Sequence, residues 1–168
     1  EMGGGGLSCM DNQAVINNCK FIGNTTSGKG AGCYFSDEMP VLTGCLFCKN
    51  ISEDQGGGIY VLGGTVSKLI NCTFSDNLAT SGSAIYQILL SRLYSSNSIF
   101  WNINVSSSDL IHINNNYNSG WTRFYTDYTD IQGGENSVVL EGTRAELYWQ
   151  EGNIISDPAF IDPLNEDY

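Results

Sequence analysis

Short apolar stretches recur along the chain, and within each stretch apolar and polar positions alternate. Cys72-Thr73-Phe74 and Ile59-Tyr60-Val61 are two examples, in which the first and third residues would face a core and the middle residue would face outward. This two-residue period predicts β-strands of only a few residues. Clusters of Gly, Asn, Asp and Ser between them predict tight bends, so one unit of the chain holds two or three strands.

The apolar pattern repeats with a nearly constant period. Four phenylalanines recur at nearly equal intervals: Phe21, Phe47, Phe74 and Phe100. The interval between Phe47 and Phe74 is one residue longer than the other two. A glycine-rich phrase keeps the shorter interval throughout, at Gly4, Gly30, Gly56 and Gly82, which places the extra residue between Gly58 and Phe74, most simply in the Gly63-Gly64 turn. Such a period, of about 26 residues, is typical of stacked repeats. Because equivalent strands return in the same direction and parallel crossovers are right-handed, the sequence predicts an all-β fold, a right-handed parallel β-helix.

Two further columns of residues support this prediction. The position before the small residue of each repeat is Asn18, Gly44, Asn71 or Asn97, and an Asn/Gly alternation indicates a corner in the left-handed backbone conformation. Three asparagines follow the phenylalanines by three residues: Asn24, Asn50 and Asn77. We expect their amides to hydrogen-bond along the stack and to satisfy backbone groups in the turns.

The repeat divides the chain into two parts of one solenoid. Residues 1–103 hold four β-helix repeats, and residues 104–168 hold degenerate rungs, loop excursions and a closing segment. We expect rungs at 109–113 and 122–126, with excursions at 114–120 and 135–151, where a site would lie. The chain also reads as a fragment of a longer protein.

Net charge and composition limit the classes of partner that the chain can bind. The net charge is −11, and residues 104–168 hold eleven of the eighteen acids but only two of the seven cations, Arg123 and Arg144. Nucleic acid is therefore a disfavoured partner, because phosphates need a concentrated basic surface. No stretch approaches the roughly 20 apolar residues that cross a bilayer. The acidic composition is consistent with a secreted or surface protein and identifies no ligand.

The six cysteines follow the repeat instead of forming an independent disulfide pattern. Cys19, Cys45 and Cys72 occupy one column, which Ser98 completes, and we interpret them as small apolar core residues. A bridge between Cys45 and Cys72 stays open as a minor alternative, because neighbouring rungs lie within disulfide range. Cys45 and Cys48 form a Cys-x-x-Cys motif, but the sequence contains no second one to complete a set of four zinc ligands. No zinc site is therefore predicted.

Acidic side chains offer little support for catalysis. The C-terminal part gathers four aspartates, Asp127, Asp130, Asp157 and Asp162, but the first two would lie on opposite faces of a strand and the other two precede proline, where a turn role is the default. We therefore predict no catalytic residues and no cofactor. A structural calcium at one of these turns stays open.

Aromatic residues are the candidates for ligand binding. Tyr34, Tyr60 and Tyr86 recur with the period of the glycine phrase and are predicted to point outward as a ladder. A stacking role explains such a ladder without any ligand, but aromatic faces also suit sugars. Three tryptophans could contribute to a cleft beside the expected excursions: Trp101, Trp121 and Trp149. The candidate set for ligand binding is Tyr60, Tyr86, Trp121 and Trp149.

The glycine phrase, closest to its consensus at Gly82-Ser83-Ala84-Ile85, and the Phe-x-x-Asn phrase together resemble the repeat of chlamydial polymorphic outer-membrane proteins. They also resemble related bacterial right-handed parallel β-helix surface proteins of the pectin-lyase-like type. The resemblance implies a secreted or cell-surface protein, adhesin-like or a structural spacer, whose partners are a glycan or a host or cell-surface protein. Since this fold also carries polysaccharide lyases and glycoside hydrolases, a carbohydrate-active module is the alternative.

Overall fold

The computed structural model describes residues 3–10, 13–37, 39–63, 66–103, 109–117 and 120–160. In these ranges the chain is a parallel β-solenoid whose short strands stack coil upon coil into four parallel sheets. A 3-10 turn lies at Gly134–Ser137. The predicted fold class is confirmed.

Three sheets form the sides of the solenoid, with strands numbered in chain order. Sheet 1 contains β1 (Leu7–Met10), β5 (Cys33–Ser36), β9 (Ile59–Leu62), β12 (Ile85–Ile88), β15 (Ile111–Asn114) and β18 (Val138–Glu141). Sheet 2 contains β2 (Val15–Asn17), β6 (Val41–Thr43), β10 (Val66–Ile70), β13 (Arg92–Ser96), β16 (Thr122–Asp127) and β19 (Ala145–Trp149). Sheet 3 contains β3 (Lys20–Ile22), β7 (Leu46–Cys48), β11 (Thr73–Ser75), β14 (Ile99–Trp101) and β17 (Asp130–Ile131). The fourth is a short pair, β4 (Thr25–Thr26) and β8 (Ile51–Ser52).

The strand register follows the sequence repeat. Leu62 pairs with Ser36, at the same offset that separates the glycine phrases, whereas Lys68 pairs with Val41, at an offset one residue longer. The extra residue therefore lies in the turn between Leu62 and Lys68, as the sequence predicts. Gly64, one of the two glycines assigned to that turn, lies outside the described residues.

A phenylalanine column forms the centre of the core. Phe47, Phe74 and Phe100 are fully buried, and each ring stacks on its neighbour with centroids 4.7 Å apart. Phe21 continues the column at 4.8 Å and is only partly buried. Four successive coils each contribute one ring to this column, and the next coil continues it with Ile131, so no coil buries its apolar face alone.

The thiol column is present, and Cys19, Cys45 and Cys72 form no disulfide bond. Cys45 and Cys72 are buried, as predicted for core residues, whereas Cys19 is exposed because its coil has a neighbour on one side only. Cys48, which the repeat does not place in the core, is fully buried. The alternative of a bridge between Cys45 and Cys72 is not realised.

The corners before this column adopt the predicted left-handed conformation. Asn18, Gly44, Asn71 and Asn97 have φ between 49° and 63°. The same corner continues beyond the regular repeat at Tyr128 (φ 46°) and Gly152 (φ 75°). A tyrosine in this conformation is unusual, since only Gly and Asn adopt it at low cost.

The asparagine column is a continuous hydrogen-bonded ladder, which confirms the prediction. Asn24 Nδ2 donates to Asn50 Oδ1 (2.8 Å), and Asn50 Nδ2 donates to Asn77 Oδ1 (2.9 Å). The same amides donate to backbone carbonyls of the preceding coil, Asn50 to Phe21 O (2.8 Å) and Asn77 to Phe47 O (2.9 Å). Asn50 and Asn77 are fully buried, so the ladder satisfies turn groups that water does not reach.

The C-terminal part is more regular than its sequence indicates. The predicted rungs at 109–113 and 122–126 correspond to β15 and β16. The expected excursion at 135–151, however, is wrong, because β18 pairs with β15 and β19 pairs with β16. An isolated bridge between Asp130 and Ile154 extends the stack further. The solenoid therefore continues through most of the segment that has lost the sequence repeat.

Candidate functional site

The predicted tyrosine ladder lies on the outer face of sheet 1, but it is buried. Tyr34, Tyr60 and Tyr86 stack with centroids 5.4 and 5.5 Å apart and retain at most 5% of their exposure. Lys29 lies 4.9 Å from the Tyr60 ring centroid and covers it. An outward direction therefore does not mean exposure here, because each ring face is covered by the next ring. As a sugar-binding pair, Tyr60 and Tyr86 stay a prediction.

His112, the only histidine of the chain, caps this ladder. Its ring stacks on Tyr86 at 4.8 Å. Its Nδ1 lies 3.0 Å from Asp109 Oδ2, and its Nε2 lies 3.0 Å from Glu141 Oε2. Asn114 Nδ2 donates both to Glu141 Oε2 and to the Tyr86 hydroxyl (2.9 Å). The cluster joins β12, β15 and β18 across three coils.

Two carboxylates set the protonation of this cluster. Burial disfavours the charged His112 ring and is the largest single influence, but the hydrogen bonds to Asp109 and Glu141 together outweigh it, so the pKa of His112 lies above its usual value. The hydrogen bond from His112 in turn lowers the pKa of Glu141. A protonated ring donates to both carboxylates, whereas a neutral ring donates to only one. This geometry holds three coils together around a ring whose side chain is only 9% exposed.

The two predicted tryptophans do not meet. Trp121 precedes β16 and is 41% exposed, whereas Trp149 packs against the apolar core from the end of β19. Thr126, at the far end of β16, is the residue that pairs with Trp149, so the tryptophans lie about 16 Å apart along the strands. They do not line a common cleft. Ligand binding by Trp121 or Trp149 stays a prediction.

The outer face of sheet 2 carries a second tyrosine ladder, which the sequence pattern does not reveal. Tyr94, Tyr125 and Tyr148 pair in register and stack with centroids 4.6 and 4.5 Å apart. Unlike the first ladder, this one is accessible, with Tyr94 38% and Tyr148 40% exposed. Their unequal spacings along the sequence hide the register, because loops of different length separate the strands.

Polar groups fix one end of this second ladder. Arg123 Nε donates to Glu146 Oε2 at 2.7 Å, and the Tyr148 hydroxyl donates to the same oxygen at 2.9 Å. The Arg123 guanidinium also lies over the Trp121 ring, 5.5 Å from its centroid. Hydrogen bonding to Arg123 lowers the pKa of Glu146. We call Tyr94, Tyr125, Tyr148, Trp121 and Arg123 the aromatic face.

A separate cleft of about 430 Å³ lies beside sheet 3. Its lining combines aromatic and apolar surface with an amide and a carboxylate: Trp101, Ile103, Gln132, Asp157, Ala159 and Phe160. Gln132 Oε1 accepts the backbone N–H of Asn102 at 2.9 Å, which fixes the amide at the cleft wall. Trp101 therefore belongs to a different surface from Trp121 and Trp149.

Two aspartates of the C-terminal part accept hydrogen bonds from backbone N–H groups. Asp130 Oδ1 accepts the N–H of Ser156 (3.1 Å), and burial raises the pKa of Asp130. Asp157 Oδ1 accepts the N–H of Ala159 (2.8 Å), which confirms the predicted turn role. Asp162 lies outside the described residues. In the described ranges no three His, Cys, Asp or Glu side chains are arranged to hold a metal ion. A structural calcium at one of the aspartate turns stays a prediction.

The repeat is the feature that relates this chain to known proteins. No helix in the described part of the chain has the length and apolar character needed to cross a bilayer. No curated protein and no solved structure matches the chain. The Chlamydia polymorphic membrane protein (Chlamydia_PMP) repeat matches residues 44–62 and 71–87, the second and third phenylalanine repeats. The resemblance to the chlamydial repeat is thereby confirmed for these two stretches, whereas the resemblance to pectin-lyase-like proteins stays a prediction. This chain is a parallel β-solenoid in which two stretches are similar to the Chlamydia polymorphic membrane protein repeat.

Proposed function

We propose that the chain is part of a non-catalytic, secreted or cell-surface protein in which the β-solenoid is a stiff spacer that presents an adhesive surface. The observation that carries this proposal is the match of two consecutive coils to a repeat found in bacterial surface proteins. The ladders support the spacer role. Phenyl rings, amides and tyrosines each form a column that crosses several coils, so bending the rod would separate contacts in every column at once.

Surface labelling of intact cells tests the proposed location. Lys20 and Lys68 are exposed on different sheets, so a membrane-impermeant amine reagent should modify both in cells that make the full-length protein. Peptides that contain the two labelled lysines would then be identified by mass spectrometry. Labelling that occurs only after the cells are lysed would contradict the proposal.

A carbohydrate-active module is the second candidate, and the cleft at Trp101 favours it. Sugars present apolar ring faces and hydroxyl groups, and this cleft offers an aromatic ring together with the Gln132 amide and the Asp157 carboxylate. A polysaccharide panel that includes polygalacturonate and alginate, each with calcium, separates the possibilities. Retention without unsaturated product would indicate a binding module, and product formation would indicate a lyase.

Variants locate any such activity. Trp101→Ala should abolish retention if the cleft binds the polysaccharide, whereas Trp121→Ala should abolish it if the tryptophan predicted from the sequence does. Lys20→Ala is the matched surface control and should leave retention unchanged. If no polysaccharide is retained or cleaved, the carbohydrate function is refuted and the spacer proposal is unaffected.

A further inference from the structure

The aromatic face is charged differently from the rest of the molecule. The chain has a net charge of −11 and only seven cations, yet three of them, Lys68, Arg92 and Arg123, lie on the outer face of sheet 2. Arg123 is neutralised by Glu146. Lys68 and Arg92 are exposed, and neither has an ion-pair partner among the described residues. Two exposed cations therefore lie beside exposed aromatic rings on an acidic protein, on a face that also carries the carboxylate of Glu146.

Strand register places these cations next to Tyr94. Lys68 is its neighbour in the same column, one coil earlier. Arg92 stands two positions before Tyr94 on the same strand, so both side chains point to the same side. Arg92 also pairs in register with Arg123, and like charges directly opposite each other destabilise a sheet. The ion pair between Arg123 and Glu146 offsets this repulsion from one side, whereas Arg92 has no such partner in the described part of the chain.

The turn that leads into β13 is strained. Leu89 and Leu90 both have φ of 61°, a conformation that non-glycine residues adopt only at a cost. Leu90 is 38% exposed, and its side chain lies against Gly120, the residue before Trp121. The strained turn therefore adds an exposed apolar side chain beside the aromatic face, where burial inside the protein would be the default for leucine.

We propose that the aromatic face, together with Lys68 and Arg92, binds a protein partner through an acidic segment that also carries an apolar or aromatic side chain. Tyr, Trp and Arg are the residue types that dominate protein interfaces. Tyr125 is stacked on both ring faces, and Tyr94 and Tyr148 are each stacked on one, so the hydroxyls and ring edges make up much of the surface that a partner reaches. The two unpaired cations select carboxylates. This inference rests on the proposed surface function and specifies the class of its partner.

Peptide selection tests the inference. A phage-displayed random peptide library is selected on the whole chain, and enriched peptides are synthesised for fluorescence anisotropy. We expect enriched peptides to contain Asp or Glu beside an aromatic or apolar residue. Replacing their acids with amides should weaken binding about tenfold, as should Arg92→Ala or Tyr94→Ala. Lys20→Ala removes one exposed charge on sheet 3 and should change Kd less than about twofold.

Three outcomes would overturn the inference. The selection could enrich no peptide, the enriched peptides could lack acids, or binding could survive both Arg92→Ala and Tyr94→Ala in variants whose circular dichroism matches the parent chain. A heparin fragment that binds through Arg92 in the absence of peptide binding would assign the face to an anionic glycan instead. None of these results bears on the surface labelling of Lys20 and Lys68, so failure of this inference and failure of the proposed function are distinguishable.

Discussion

Asn50 occupies the centre of the amide ladder, and its replacement tests whether the ladder stabilises the stack. The side chain takes part in four hydrogen bonds: Nδ2 donates to Phe21 O and Asn77 Oδ1, while Oδ1 accepts from the backbone N–H and from Nδ2 of Asn24. Asn50→Ala removes all four. Asn24→Ala is the matched control, because the Asn24 side chain donates one bond within the ladder and its backbone N–H keeps its acceptor.

The magnitude follows from this difference. A net contribution of about 1 kcal/mol for each hydrogen bond predicts a loss of about 4 kcal/mol for Asn50→Ala and about 1 kcal/mol for Asn24→Ala. The full burial of Asn50 makes these groups costly to leave unpaired, since water does not replace the lost partner. The larger value is a substantial share of the stability of a domain of this kind, about 5–15 kcal/mol.

Urea unfolding followed by circular dichroism gives both free energies of unfolding by linear extrapolation. Asn50→Asp separates hydrogen bonding from volume, because it keeps the shape but turns the two donors into an acceptor that faces Asn77 Oδ1 and Phe21 O. We expect this variant to lose at least as much stability as Asn50→Ala. If Asn50→Ala and Asn24→Ala cost the same within about 1 kcal/mol, the ladder does not act as the geometry indicates.

Three other predictions concern the core, the histidine and the thiols. Phe74→Ala should cost about 3–5 kcal/mol in urea unfolding, because it removes a buried ring stacked on both sides, and Phe21→Ala should cost clearly less; equal costs would contradict this. Because the pKa of His112 is raised in the folded state, its stabilising contribution is complete below about pH 6.5, the pKa of an unfolded histidine. This contribution is lost as pH rises through the raised pKa. His112→Gln should therefore reduce the fall of the urea midpoint above about pH 6.5. An unchanged pH profile would refute that role. A thiol reagent should modify exposed Cys19 in the native protein and Cys72 only in urea, since burial raises the pKa of the Cys72 thiol to about 11; equal rates would contradict the described burial.

The regular coils could be predicted because each structural role has a fixed sequence spacing. The phenyl column, the amide ladder and the left-handed corner at Asn71 all follow from a period that only a solenoid explains. Backbone pairing between coils uses N–H and C=O groups, which every residue except proline provides. Side chains can therefore change in evolution while the strand pairing is kept. For this reason β18 and β19 pair with their neighbours although their sequences lack the repeat motifs.

The tyrosine ladders were harder to predict, because backbone pairing between coils also tolerates changes in the spacing of residues along the sequence. Tyr94 and Tyr148 lie in register with Tyr125 although their spacings to it along the sequence differ, because the loops and not the strands absorb the difference. His112 follows Tyr86 at the interval that separates the tyrosines of the first ladder, so the sequence period could have placed it there, and the pairing of β12 with β15 shows that it takes the next position. Alternation predicted the direction of Tyr60 correctly but not its burial, since Lys29 and the neighbouring rings cover it.

The constant offset between stacked coils has a consequence for how such a chain can change in evolution. A duplication or deletion of one regular coil would again place phenylalanine next to phenylalanine and asparagine next to asparagine wherever two coils are newly joined. Length can then vary by recombination between repeats without any new core having to arise. An insertion of fewer residues would break every column at once unless a loop accommodates it, as the turn after Leu62 does for its single extra residue.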